Sequence, residues 1–114
     1  MSVVFFGEVT ACAKSAPEVH GNWMSSRIIT RIKDKKPGLL RVQTSTEAQR
    51  MTYNGYEYRS TGQFLDLACC ATEEPTASRH RFYVVRDEQK RFDVLLGSDV
   101  PRNISGAAAY RCRD

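Results

Sequence analysis

Residues 92–99 constrain the fold of this chain more than any other segment. An acidic residue, Asp93, leads into three apolar residues, and Gly97, a small residue and a second acid follow. Consecutive apolar residues that end at a glycine are typical of a short, buried strand that stops at a turn. The segment therefore predicts a buried last strand over residues 92–96. A turn with about one helical turn is predicted over residues 97–103.

The composition fits one small globular domain. The chain has 114 residues, of which 41% are hydrophobic and 26% are charged, and a chain of this size can bury one core. No repeat, low-complexity segment or linker divides it, so residues 1–114 are predicted to form a single domain. The apolar run at residues 3–6 is too short for a membrane span and lacks a basic start. A cytoplasmic protein without a signal peptide or a membrane partner is expected.

The charge balance is mildly basic, with 17 Lys and Arg against 13 Asp and Glu and a net charge of +4. Nucleic-acid binding needs the basic residues on one face or interleaved with aromatic residues. Here they are scattered along the chain, so an ordinary basic surface is favoured. A nucleic-acid-binding module is kept as an alternative.

The cysteines and histidines indicate no metal and no cofactor. No Cys-x-x-Cys pair occurs, and the two histidines sit at no zinc-ligand spacing. Adjacent cysteines bridge to each other only with severe strain, so reduced thiols are expected, as in an intracellular protein. Cys12 lies in an apolar strand, where a thiol is usually inert packing rather than a nucleophile. The four cysteines of the chain are Cys12, Cys69, Cys70 and Cys112, and the two histidines are His20 and His80.

The remaining pattern consists of short strands, turn signals and one helix. Strands are predicted at residues 3–13 (one strand, or two with a bulge at Gly7), 39–44, 61–71 and 79–86, and a helix at residues 22–33. Asn54-Gly55 between tyrosines predicts a β-hairpin over residues 51–58 with a type I′ turn. The pattern favours a small, closed, all-β barrel with one or two short helices. Its predicted core residues include Met24, Ile28, Ile29, Ile32, Phe64, Leu67, Cys69, Phe82 and Val84.

The order of these elements resembles the retropepsin-like aspartic peptidases of retrotransposon-derived fungal sequences. In that family a strand ending in Asp-Thr/Ser-Gly is followed by Asn-Trp-Ile-Ser and a helix, and this chain has Asn22-Trp23-Met24-Ser25. A flap hairpin and a Ser-Thr-Gly strand entry follow in the family. They are matched here by Tyr53-Asn54-Gly55-Tyr56 and Ser60-Thr61-Gly62, and residues 92–99 close the pattern. The resemblance covers residues 3–104 and implies a barrel that dimerises around a cleft.

The catalytic triplet of that family is missing. Counting back from Asn22, the position of the catalytic acid falls on Ala16, or on Lys14 if two residues are inserted. The chemistry needs two carboxylates about 3 Å apart that share one proton, and each subunit of a homodimeric retropepsin supplies one. The resemblance therefore implies a catalytically degenerate domain. Its homodimer would use the former cleft and flaps to bind a peptide segment or a small molecule.

Three other functions stay open: an enzyme with replaced acid–base chemistry on a small molecule, a still-active aspartic endopeptidase, and the nucleic-acid module. Glu18 and His20 lie in the expected loop and are the candidates for replaced catalysis. The predicted ligand contacts are the flap residues Tyr53, Asn54, Gly55 and Tyr56, together with Trp23.

Each ligand contact has a structural alternative. Trp23 fits a core or interface anchor better than a ligand-stacking ring. The hairpin tyrosines also fit cross-strand packing pairs. Asp99 is expected to cap a terminal helix, and residues 106–114 are left without an assigned role.

Overall fold

The computed structural model describes residues 2–6, 8–38, 40–71, 78–86 and 92–97. Within them the chain is mostly β-structure with one helix. The strands are β1 (Ser2–Phe5), β2 (Val9–Ser15), β3 (Asn22–Ser25), β4 (Gln43–Thr44), β5 (Arg50–Tyr53), β6 (Tyr56–Arg59), β7 (Gln63–Ala71), β8 (Ser78–Val85) and β9 (Val94–Leu96), and the helix is α1 (Ser26–Lys35).

Six of the described strands close into a barrel in the order β1-β2-β9-β3-β8-β7, because β7 pairs back onto β1. The short β4 adds to β7 outside the barrel, and β5 and β6 form a separate hairpin. The prediction of a small, closed, all-β barrel is therefore confirmed. No helix in the described part of the chain is both long and apolar enough to cross a membrane.

Strand alternation sets the barrel interior. In β8, Phe82 and Val84 are buried as predicted, and Phe82 packs edge-on against Phe5 with the ring centroids 5.7 Å apart. In β7 the buried positions are Leu65, Leu67 and Cys69. The prediction that Phe64 belongs to the core was wrong because successive strand residues point to opposite faces, so Phe64 cannot share a face with Leu67.

The segment predicted as the start of the helix is instead a strand. β3 is buried at all four positions and pairs with β8 on one side and β9 on the other. The helix begins at Ser26, where the Ser25 hydroxyl accepts the Arg27 N–H, as an N-cap residue does. The apolar face predicted for the helix is correct for Ile28, Ile29 and Ile32, which are buried.

Other element boundaries differ from the prediction in both directions, and the two-strand alternative for residues 3–13 is confirmed. Residues 3–13 form two strands, β1 and β2, paired as a hairpin. β4 and β9 cover only part of their predicted ranges. The predicted turn beyond Gly97, the cap at Asp99 and the tail at residues 106–114 lie outside the described residues.

A second apolar cluster lies apart from the barrel interior. It joins the end of the barrel to the β5–β6 hairpin and includes the loop between β2 and β3. Its buried members are Ala16, Val19, Trp23, Met51, Tyr58, Val85, Phe92 and Leu95, and Tyr53 and Tyr83 pack against it. We call this group the cleft cluster.

Candidate functional site: the β2–β3 loop and the hairpin

The loop over residues 16–21 crosses the end of β9. β9 lies between β2, to which it is parallel, and β3, to which it is antiparallel. The chain leaving β2 must therefore pass over the C-terminal end of β9 to enter β3. The Ala16 N–H donates to the Leu96 carbonyl at 2.8 Å, and the Val19 N–H donates to the Ala16 carbonyl at 2.8 Å. These bonds fix the start of the loop.

Gly97 permits this crossing. A Cβ atom at this buried position would lie 1.9 Å from the Gly21 carbonyl oxygen and 2.5 Å from the Val19 carbonyl oxygen. Both contacts are with backbone, which cannot rotate away as a side chain can. The sequence predicted that Gly97 ends a strand, and the structure shows in addition that the loop passes directly over it.

Asn22 ties the far end of the loop to the barrel. Its Oδ1 accepts the Gly97 N–H at 3.0 Å, and its Nδ2 donates to the Arg81 carbonyl at 3.3 Å. The side chain is 1% exposed, and buried polar groups of this kind are retained when their hydrogen bonds are made. The same Asn22 anchors the resemblance to the peptidase family, and here it positions the loop.

Trp23 packs beneath the cleft cluster surface and binds the loop backbone through its indole N–H. Its Nε1 donates to the His20 carbonyl at 2.9 Å, and its ring lies 5.3 Å from the ring of Tyr83. The side chain is 1% exposed. Trp23 is therefore a packed member of the cleft cluster, with its one polar atom bound to the loop backbone.

The loop presents few chemical groups. Ala16 is fully buried, whereas Lys14, Pro17, Glu18 and His20 are exposed. Neither position that the resemblance assigns to the catalytic acid carries a carboxylate. Glu18 and His20 lie on the surface of the same loop, and no described hydrogen bond or ion pair joins their side chains.

The hairpin has the predicted turn. Asn54 and Gly55 have φ angles of 52° and 79°, as a type I′ turn requires. Tyr53 pairs with Tyr56 across the strands, one step from the turn. The predicted flap residues thus form the tip of the hairpin, where Tyr56 is 49% exposed.

The stem of the hairpin is fixed to the barrel through Phe92. The Tyr58 ring lies 5.3 Å from the Phe92 ring, and the Tyr53 ring lies 6.0 Å from it on the edge. Met51 and Tyr58, paired across the strands, are both buried. The sequence did not identify Met51 or Phe92 as parts of this site. The sequence signal for Phe92 was its position as an aromatic residue directly before Asp93 and the apolar residues of β9.

Charged pairs surround the site rather than occupying it. Arg27 at the start of α1 forms an ion pair with Asp93, and the Asp93 carbonyl accepts the Ser25 N–H at 2.9 Å. On the outside of the barrel, Asp66 hydrogen-bonds Arg81 and raises the pKa of its guanidinium. These contacts stabilise the position of β9 and the outer surface, and they supply no catalytic carboxylate pair.

Cys12 differs from the expectation of reduced thiols, because it is disulfide-bonded. Its sulfur is therefore not a free thiol that His20 could activate as a nucleophile.

No match to this chain was found among protein-family models, curated proteins or solved structures. The functional argument therefore rests on the geometry of the loop, the hairpin and the cleft cluster.

Proposed function

We propose that this chain is a retropepsin-like domain that has lost peptidase chemistry and binds a peptide segment or a small molecule in the former cleft. One observation carries the proposal. Ala16, at the position where the family carries its catalytic Asp, is buried in the same cleft cluster as the inner face of the hairpin. This packing supports the proposal of a former cleft, built around a residue that has no acid–base chemistry.

The lost chemistry follows from the side chains of the loop. An aspartic peptidase needs two carboxylates close enough to share one proton. A buried methyl group at Ala16 cannot activate water, and the exposed ammonium of Lys14 cannot act as the acid partner of such a pair. A second copy of the chain brings the same two residues, so dimerisation does not restore the pair.

The hairpin provides the binding element. Among the described strands β5 pairs only with β6, so the outer backbone edge of β5 can accept an added strand. An extended peptide added in this way gains main-chain hydrogen bonds, and side-chain pockets supply selectivity. The exposed Tyr56 ring at the tip offers an apolar surface for such a peptide.

A homodimer is part of the proposal, because one subunit provides only half of a cleft. Light scattering at micromolar concentration is expected to give twice the 12.9 kDa chain mass. A mass equal to one chain at that concentration would contradict it.

The ligand is tested by panning a random peptide library against the immobilised protein. Tyr56→Ala is expected to lower the affinity for the captured peptides roughly tenfold, since a buried aromatic residue in an interface commonly contributes more than about 1 kcal/mol of binding free energy. Thr52→Ala is the matched control, because Thr52 is exposed on the opposite face of the same hairpin. Equal effects of the two substitutions would refute a binding role for the inner face.

The disulfide at Cys12 weighs against the predicted cytoplasmic location. Disulfides persist in oxidising compartments and are rare in the cytosol. We therefore propose an oxidising compartment. A thiol-blocking reagent is added at the moment of cell lysis, and peptide mass mapping is expected to show Cys12 without the reagent attached. Full labelling of Cys12 would instead favour the cytoplasmic location predicted from the sequence.

A further inference from the structure

The outer face of the hairpin carries two arginines directly opposite each other. Arg50 in β5 is paired with Arg59 in β6, and both are exposed. Their neighbours Met51 and Tyr58 point to the other face and are buried in the cleft cluster. Directly opposed side chains have Cβ atoms about 4.5–5.5 Å apart, and like charges at this spacing destabilise a strand pair.

No acidic residue in the described part of the chain forms an ion pair with Arg50 or Arg59. Two exposed arginine side chains thus extend from directly opposed positions of a paired two-stranded element. Such an arrangement becomes favourable when an anion lies between the two charges.

The next cross-strand pair limits the kind of anion. Thr52 is paired with Glu57, both are exposed, and both share the outer face with the arginines. The carboxylate of Glu57 interrupts any row of positive charge along the hairpin. A nucleic-acid backbone needs such a row because its affinity comes from neutralising several phosphates. The arginine pair instead fits one compact anion with two charges.

We propose that Arg50 and Arg59 form a binding site for a phosphate monoester on a partner protein. Guanidinium groups bind phosphate oxygens through two parallel hydrogen bonds. A phosphorylated side chain carries nearly two negative charges at neutral pH, so it neutralises both arginines, whereas a phosphodiester carries one charge. The site lies on the face of the hairpin opposite the cleft cluster, so it does not depend on the function proposed for the cleft.

The test compares phenyl phosphate, a monoester, with diphenyl phosphate, a diester, in amide chemical-shift titrations. Wild-type protein is expected to bind phenyl phosphate saturably, with shifts centred on residues 50–59. Arg50→Ala and Arg59→Ala are each expected to weaken the binding of phenyl phosphate at least tenfold, which corresponds to about 1.4 kcal/mol. Arg50→Lys keeps the charge but loses the planar fork, so an intermediate loss is expected.

Arg79→Ala is the matched control, since Arg79 is exposed on β8 and lies away from the hairpin. It is expected to change the affinity less than twofold. An equal loss in Arg79→Ala and Arg50→Ala, or equal affinity for the two phosphates, would overturn the proposal. A phosphoserine peptide is then competed against a single-stranded oligonucleotide. Tighter binding of the oligonucleotide would replace the protein partner with a nucleic acid and refute the site as proposed.

Discussion

Replacing Gly97 by alanine tests whether the loop really rests on the end of β9. The new Cβ would lie 1.9 Å from the Gly21 carbonyl oxygen, where an ordinary contact begins at 3.4 Å, so the loop must withdraw by about 1.5 Å. Overpacking of this kind costs about 1–3 kcal/mol. The displaced hydrogen bond from the Gly97 N–H to Asn22 costs about 1–3 kcal/mol more. Together we expect a loss of about 2–6 kcal/mol in the free energy of unfolding.

Urea unfolding followed by tryptophan fluorescence measures this loss. Trp23 is the single tryptophan of the chain and donates to the loop at the His20 carbonyl, so its emission reports on the loop directly. The midpoint of thermal unfolding is expected to fall by roughly 4–5 °C for each kcal/mol lost, the usual shift for a domain near this size.

Gly38→Ala is the matched control for this substitution. Gly38 has a φ of +86°, and a Cβ there would meet nothing within 4 Å. Its cost is therefore only that of a left-handed backbone, about 1–2 kcal/mol. If Gly97→Ala proves no more destabilising than Gly38→Ala, the loop does not pass over Gly97 as described.

Three further predictions concern the packing around the same site. Asn22→Ala removes the acceptor for Gly97 and the donor to the Arg81 carbonyl, and urea denaturation is expected to show a loss of about 2–4 kcal/mol. Tyr58→Ala empties the space against Phe92 and should cost about 3–5 kcal/mol. Tyr56→Ala changes an exposed ring and should stay within about 0.5 kcal/mol, so equal losses at the two tyrosines would contradict the described orientation of the hairpin.

Local sequence signals predicted the elements in which one physical rule dominates. The turn at Asn54-Gly55 follows from two positive φ angles that other residue types adopt at a cost, and both angles are present. The inward positions of β8, Phe82 and Val84, follow from alternation, because successive strand residues point to opposite faces. On the other face Val85 is also buried, in the cleft cluster. In α1, the spacing of Ile28, Ile29 and Ile32 was sufficient to identify the buried face.

The prediction failed where burial removes the pattern. β3 is covered on both faces, so its four residues show no alternation of apolar and polar positions. Met24 also fits the spacing of the buried isoleucines of α1, so the sequence pattern placed these residues in the helix. The true boundary depends on Ser25, whose hydroxyl caps the helix. A serine in this context does not by itself distinguish a cap from an ordinary strand residue.

The candidate site stays a prediction, and only the positions of its residues can be compared with the structure. The loop before Asn22 was expected from the sequence, because the segment that forms it is short and local. The contact of Phe92 with Tyr53 and Tyr58 joins segments that are distant in the chain. Nothing in the local sequence shows which part of the barrel the hairpin will contact.

The central proposal is that this barrel is a retropepsin-like domain without peptidase chemistry. The most direct test incubates the purified protein with a mixed peptide library from acidic to neutral pH and identifies the peptides by mass spectrometry. We expect every peptide to be recovered intact at each pH, including those that the protein captures. New peptide ends that disappear when a pepstatin-type inhibitor is added would show a working pair of carboxylates and contradict the account.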